Sequence, residues 1–600
     1  MAPYEPFLIG DMRFGLEEGV QPWLLPQDAW STMTNAYLRR GVLCKRGGYV
    51  EFDRMVHAVA NEAIGALGVA HYAGILANIP IRIGDLSFDD GTLTLTDDGD
   101  GTLSGDGSGT INYTTGVYDI TFSGITTGAV VADYDYYPGL SIVGIELYSN
   151  LSTGESDLMV FDKKRCAQWD PTNEKLEDIC TATDTWTGGD YDYFWGCNAR
   201  NWIHVTNNVD RVKYWDGTGP WTNLLMDIDG DGNNDVDTCK LLFSYKERIV
   251  ALRTTENLVL YPQRARWCKA EDHTDWTNDE YVDCPVNGWI MTADFIGEDL
   301  VVWFENSVWR LKYTGDSSLP FRWEQIDTTN GSYAPYSGCV YGDTMAVVGP
   351  TNILETDNLK VYDIDDKIPD AVIGMDLENL EKIYSLQIQE LQQIVLSYPE
   401  IGETKNTASL CYNYKDKSWS RYGFGFNVYG YYTEGETGLT LDEIEESWDE
   451  IEYAWDDSTR QAGYSTTLGG DVSGYVYKIN YGGDDDGSAI AFEVKSGRWN
   501  PYLKEGKKAR FGWVEFLVDR DPDVSMTVTF YAHIDGKEEV VATQTVTFGE
   551  SGDNADKVWV RADNGAVGDF HRVKLTNDAT DETIRLHAMI LHMKRAGSLK

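Results

Sequence analysis

The nine residues from Asp227 to Asp235, DIDGDGNND, carry the sharpest chemistry in the chain. Carboxylates at Asp227, Asp229, Asp231 and Asp235, the carbonyl of Asn233 and the bend that Gly232 permits would together supply the several hard oxygen ligands that Ca²⁺ takes. The expectation is a Ca²⁺ loop. No Glu stands at the twelfth position, so the loop is not a complete EF-hand, and an acidic hairpin without an ion is the competing reading.

Elsewhere the search for chemistry returns little. There is no GxSxG elbow, Walker loop, HExxH helix or paired CxxC knuckle. The eight histidines are dispersed, and His273 near Asp275 reads as a loop hydrogen bond rather than half of a dyad. A propeller glycosidase would pair carboxylates and arginines, but the repeated Ser-x-Asp-x-Gly-x-x-Trp turn of sialidases is missing. The expectation is therefore no enzyme, with no catalytic and no cofactor-binding residue assigned.

The elements that must position the acidic loop are short strands. Within Gly288–Ile326 four apolar runs, Trp289–Phe295, Leu300–Phe304, Val308–Tyr313 and Phe321–Ile326, are separated by turn residues, which predicts one antiparallel meander. Its central hairpin recurs from Asp157, Asn201, Glu247, Asp299, Asp343 and Gln392, at intervals of 44, 46, 52, 44 and 49 residues. A seventh copy begins at Gly463 after a gap of 71. A four-stranded repeat of roughly 40–50 residues is the mark of a propeller blade. A run of unrelated hairpins in two sandwiches is the alternative.

The fold class expected is all-β: a β-propeller of six to seven blades, an inserted β module and a C-terminal β-sandwich. The propeller is assigned to residues 55–79 and 140–489, the module to 80–139, the sandwich to 490–600, and an N-terminal docking segment to 1–54. The module follows from a stretch with ten aspartates, no lysine and one arginine, whose apolar residues alternate between Asp-Gly turns. In 1–54 the pattern from Asp28 to Tyr37 predicts a short helix. Leu441, Ile444, Trp448, Ile451 and Trp455, inside the long gap, share one side of a second short helix, with a Trp-Asp turn as its rival.

A formal charge of −48 argues against tightly bound nucleic acid, whose phosphates need cations. No secretory signal and no apolar run long enough for a membrane span are expected, which implies synthesis and assembly in a cytoplasm. Nine widely spaced cysteines show no disulfide framework and read as reduced, mostly buried thiols.

Several stretches together resemble the nozzle, or tail tubular, proteins of short-tailed bacteriophages: Pro26 and Asp28-Ala29, then Asn35-Ala36, then GVLCKRGGY from Gly41 to Tyr49; RARWCKAEDHTDWT from Arg264 to Thr277; SVWRLKYTGDSSLPFRWEQI from Ser307; and VYDIDDKIPD from Val361 to Asp370. The acidic loop itself resembles the calcium loops of integrin-type propeller hairpins. The nozzle resemblance implies a virion protein of the tail, a homo-oligomeric ring, hexameric in that family, below portal and adaptor. Its partners would be the adaptor and tail fibre proteins, with DNA passing through the bore without tight binding. A receptor-binding or glycan-degrading virion protein on a propeller scaffold is the alternative. Two basic patches on the acidic chain, Arg39, Arg40, Lys45 and Arg46, and Lys504, Lys507, Lys508 and Arg510, are the candidate docking contacts. In such a ring, aspartates lining the bore would keep a like-charged duplex sliding near the axis.

Overall fold

A computed structural model describes residues 3–154, 156–181, 184–277, 280–433, 465–534, 536–549 and 556–599. The predicted helix at Leu441–Asp457 lies outside the described residues. The chain forms two compact units: residues 1–50, 284–427 and 478–600, and residues 51–283 with 428–477.

Gly288–Ile326 folds as its pattern predicts, into strands Ile290–Ile296, Asp299–Phe304, Val308–Tyr313 and Phe321–Asp327, each antiparallel to the next. Six more four-stranded meanders share this order, at 142–178, 195–223, 236–283, 339–363 and 384–422, and at 428–479 completed by Tyr49–Arg54. Every predicted hairpin copy begins within two residues of the second strand of its sheet. The chain is a β-propeller with seven such sheets among the described residues.

The second strand of a blade is apolar on both faces. Leu300, Val301, Val302, Trp303 and Phe304 are all fully buried, so the sheet is covered twice, not once as simple alternation would have it. Each such side chain contributes roughly 1.5–3 kcal/mol relative to exposure, and only stacked sheets can supply that cover. Within the second unit the inner strands Val428–Thr433, Ile142–Ser149, Trp195–Ala199 and Val236–Tyr245 stand side by side in that order. Their approach is close: a Cβ on Gly430 would sit 2.4 Å from a methyl of Ile145.

The inserted module begins earlier than its composition suggests. Strands His57–Gly65 and His71–Ile75, assigned above to the propeller, are the two ends of its eight-stranded sheet, which runs to Val130–Tyr136 and is nearly closed on itself. Composition shifts only at residue 80 because these first strands lack the Asp-Gly turns. Their alternation still marks them: Tyr72 is buried between exposed His71 and Ala73.

Residues 1–54 form no separate docking segment. Glu5–Ile9, Ala36–Arg39 and Val42–Lys45 join one sheet of the sandwich with Lys507–Asp519, Lys557–Asp563 and Arg585–Ser598. Ala29–Thr34, where a helix was expected, is a strand paired with Phe492–Ser496 in the opposite sheet, beside His571–Asn577, Asp521–Ile534 and Lys537–Phe548. Buried Trp30 and Met33 fit a helical spacing as well as a bulged strand, and here pairing with a distant segment decides. Asn35, at φ 53°, ends that strand; its Nδ2 donates to the Ala491 carbonyl and its Oδ1 accepts from Gly423 N and Arg46 Nε.

Arg46 is the anchor of this join. It is buried, and its two Nη atoms reach the carboxylate of Asp485 at 2.7 and 2.5 Å. Next to it Gly48 passes so near residue 484 that a Cβ would lie 1.5 Å from the Asp484 carbonyl oxygen. Removing one partner of a buried pair strands the other charge. Asp485→Ala should cost about 3–5 kcal/mol in urea unfolding, and the double substitution with Arg46→Met should recover much of that loss.

Candidate functional site

The acidic loop connects the second blade to the third, between Thr222–Asn223 and Val236–Tyr245. Two glycines in the left-handed region, Gly230 at φ 82° and Gly232 at φ 86°, fold it back on itself. Asp227 accepts from Gly230 N at 2.7 Å and from Gly232 N at 2.8 Å, and Asp235 from Ile228 N at 2.7 Å. These bonds preset the turn without an ion.

Of the five predicted ligands the structure brings three together. Asp227, Asp229 and Asp235 each place a carboxylate oxygen within 4.8 Å of the others. Two oxygens at about 2.4 Å from one Ca²⁺ lie at most about 4.8 Å apart, so the spacing fits that ion, with water completing its shell. Asp231 and Asn233 are not in that cluster: Asn233 donates to the Asp231 carboxylate through N at 2.7 Å and Nδ2 at 2.8 Å. That side-chain bond holds the Asp231 carboxyl below its ordinary value. Sequence spacing could not separate the two sets, because both alternate along one loop.

The basic patches divide. Arg39 and Arg40 are exposed, but Lys45 is buried, donating to Asn577 Oδ1 at 2.8 Å and the Ala579 carbonyl at 3.1 Å. Lys45 and Arg46 are thus structural, a correction to their expected role in docking: runs of basic residues do not reveal which of them find internal acceptors. In the second patch Lys504 and Arg510 are exposed, whereas Lys508 pairs with Asp569 at 3.1 Å and Lys507 donates to Ser598 Oγ at 3.2 Å.

His273 forms no dyad with Asp275, which accepts instead from Lys269 and Thr277. Its ring lies 5.1 Å from that of His204, also against Trp202 and Tyr214. His204 is fully buried, and neither of its ring nitrogens has a hydrogen-bond partner. Arg264 and Arg266, in the stretch that carries part of the resemblance, converge on buried Glu256 at 2.8–2.9 Å, while Arg264 also forks onto Asp283. They tie the outer strands of the third blade together. All nine thiols are unbridged.

No protein-family model and no curated protein matches the chain. Among solved structures it is similar to the dihydro-heme d1 dehydrogenase NirN at 10% identity, over 71% of this chain and 75% of that one, with a TM-score of 0.33. A gluconolactonase from Xanthomonas campestris matches 44% of this chain and 84% of its own at 11% identity, TM-score 0.27. PorZ, a surface component of the type-IX secretion system of Porphyromonas gingivalis, matches at 11% identity and TM-score 0.28 over 58% of this chain; the chain spans 39% of PorZ. Values this low give no ground for transferring an activity.

Two outcomes are expected here. Millimolar Ca²⁺ should raise the unfolding temperature by a few degrees over EDTA, since an ion at 100 times its Kd adds about 2.7 kcal/mol. Asp229→Asn should abolish that rise and Asp231→Asn should leave it; equal behaviour of the two variants refutes the three-carboxylate site. Burial, with His273 nearby, pushes His204 down to about 3 from 6.5. The unfolded chain therefore takes a proton that the folded one refuses. Stability is whole above pH 6.5 and falls as the pH drops toward 3. At pH 4.5 the loss through this ring is up to about 2.7 kcal/mol, and His204→Phe should remove it from the pH dependence of the urea midpoint.

Proposed function

We propose that the chain is a structural subunit of a short-tailed bacteriophage tail, a nozzle ring that forms the distal conduit for genome ejection. The observation that carries the reading is the spread of nozzle-like stretches over Gly41–Tyr49, Arg264–Thr277, Ser307–Ile326 and Val361–Asp370. Their residues do architectural work that few substitutions could replace: buried Arg46 on Asp485, Gly48 against a backbone carbonyl, and the arginine pair on Glu256. Sharing such residues means sharing this particular scaffold rather than propellers in general.

In this reading the virion is the site of action, with assembly in the host cytoplasm. The exposed cations Arg39, Arg40, Lys504 and Arg510 are the parts of the two patches left for the adaptor ring or a tail fibre. The chain's negative charge suits a conduit, because fixed cations on the wall would hold passing DNA through its phosphates.

Two measurements test this. Light scattering of the assembled protein should give a mass six times that of the 67.4 kDa chain, and images of the virion should place it in the tail below the portal. Location in the capsid shell, or a monomer under assembly conditions, refutes the proposal.

A further inference from the structure

On the outer side of the fifth and sixth blades, wholly within the first unit, lies a cavity of about 450 Å³. That is within the roughly 300–1,000 Å³ of small-ligand sites. Its floor is aromatic and rigid. Tyr412 and Trp419 pack ring to ring with centroids 4.7 Å apart, and Trp419 Nε1 donates to the Ile364 carbonyl at 2.9 Å. Tyr362, 44% exposed, offers an open ring beside them.

The polar groups around this floor are of mixed character. Lys367 also lines the cavity, but its ammonium is spent: it donates to the carbonyls of Phe14 at 2.6 Å and Lys417 at 2.9 Å and lies 4.3 Å from the Phe14 ring. Glu355 gives one oxygen to the hydroxyl of Tyr341, and Asp363 gives Oδ1 to Asn352 Nδ2 at 2.6 Å. Each keeps its other carboxylate oxygen. The Asp366 carboxylate, the Lys417 ammonium and the Tyr412 hydroxyl have no protein hydrogen-bond or ion-pair partner among the described residues.

What remains facing the cavity is a set of free acceptors on three carboxylates, one ammonium donor and one hydroxyl that serves as both. An anion entering here meets the three carboxylates. A compact cation meets the unpaired lysine, and the faces of Tyr412 and Trp419 that would draw it are partly spent on each other. A neutral polyhydroxylated ring uses every group: its hydroxyls donate to the carboxylates, accept from Lys417 and Tyr412, and its C–H face packs on Tyr362. We propose that this cavity is a carbohydrate-binding site for a neutral sugar ring. The inference goes beyond the tail reading: Tyr362, Asp363 and Asp366 lie in the stretch Val361–Asp370 on which that reading draws, but the sugar site depends only on the groups lining the cavity, and glycoside binding is measured independently of ring assembly.

The test uses the full chain, titrated by ligand-observed NMR with the methyl glycosides of glucose, galactose and N-acetylglucosamine. Arginine amide is the cationic arm and inorganic phosphate the anionic one. At least one glycoside should show saturable millimolar binding, weakened about tenfold, or 1.4 kcal/mol, in both Asp366→Asn and Tyr362→Ala. Both positions are exposed, so the variants should keep the unfolding temperature of the parent, which is checked alongside. Binding of no glycoside, tighter binding of arginine amide or phosphate than of every glycoside, or glycoside affinity unchanged in both variants overturns the proposal.

Discussion

Apolar surface on both faces of the blade strands is the constraint on which the rest depends. Gln393–Tyr398 and Ala408–Asn413 are buried at every position, as are Leu158 to Asp162. A lone four-stranded sheet of that kind would expose one whole face to water, which at roughly 25 cal/mol per Å² no hairpin could sustain. Repetition is the remedy, because each blade then covers its neighbours. Polar groups admitted to these strands pair in place where they can: Ser397 and Ser409 share a 2.7 Å hydrogen bond, Ser409 also donates to the Phe424 carbonyl, and Gln393 Oε1 accepts from the Tyr422 hydroxyl while its Nε2 has no protein partner among the described residues.

Sheets stacked in this way still have edges, and the chain uses its own ends to treat them. The seventh blade takes its outer strand from Tyr49–Arg54, and both sheets of the sandwich take strands from the first 45 residues. Unpaired strand edges invite association with other chains, so pairing them internally also limits what remains free for partners. The cost is that Lys45 and Arg46 are consumed as anchors. That narrows each basic patch to the members that keep solvent.

The acidity of the chain has a local as well as a global cause. Again and again an aspartate at a turn accepts the backbone N–H two residues on and often a Thr hydroxyl as well, as at Asp100 with Thr102, Asp216 with Thr218, Asp272 with Thr274 and Asp275 with Thr277. Such side chains replace the missing strand partner in tight loops. A fold with this many short strands needs many of these turns, so part of the charge of −48 is the by-product of hairpin chemistry. The acidic loop from Asp227 to Asp235 is an elaboration of the same device, with Asp227 closing two turns at once.

The sequence by itself determined the strands, their grouping in fours and the repeat, because these rest on alternation and turn residues that act within about fifty positions. The four runs of Gly288–Ile326 fall within a residue of their observed bounds. It also determined that Asp227 to Asp235 is a loop dense in carboxylates. Only the tertiary structure decided what depends on residues far apart in the chain: that Ala29–Thr34 is a strand against Phe492–Ser496, that His57–Gly65 closes the module, and that Arg46 meets Asp485. The same holds inside the loop, where three carboxylates converge and Asp231 does not, because hydrogen bonds to Gly230, Gly232 and Ile228 set its curl. The cavity over Tyr412 and Trp419 had no signal in the sequence. Its groups come from strands and loops of two different blades, and neither period nor motif marks a place that exists only once those blades are stacked.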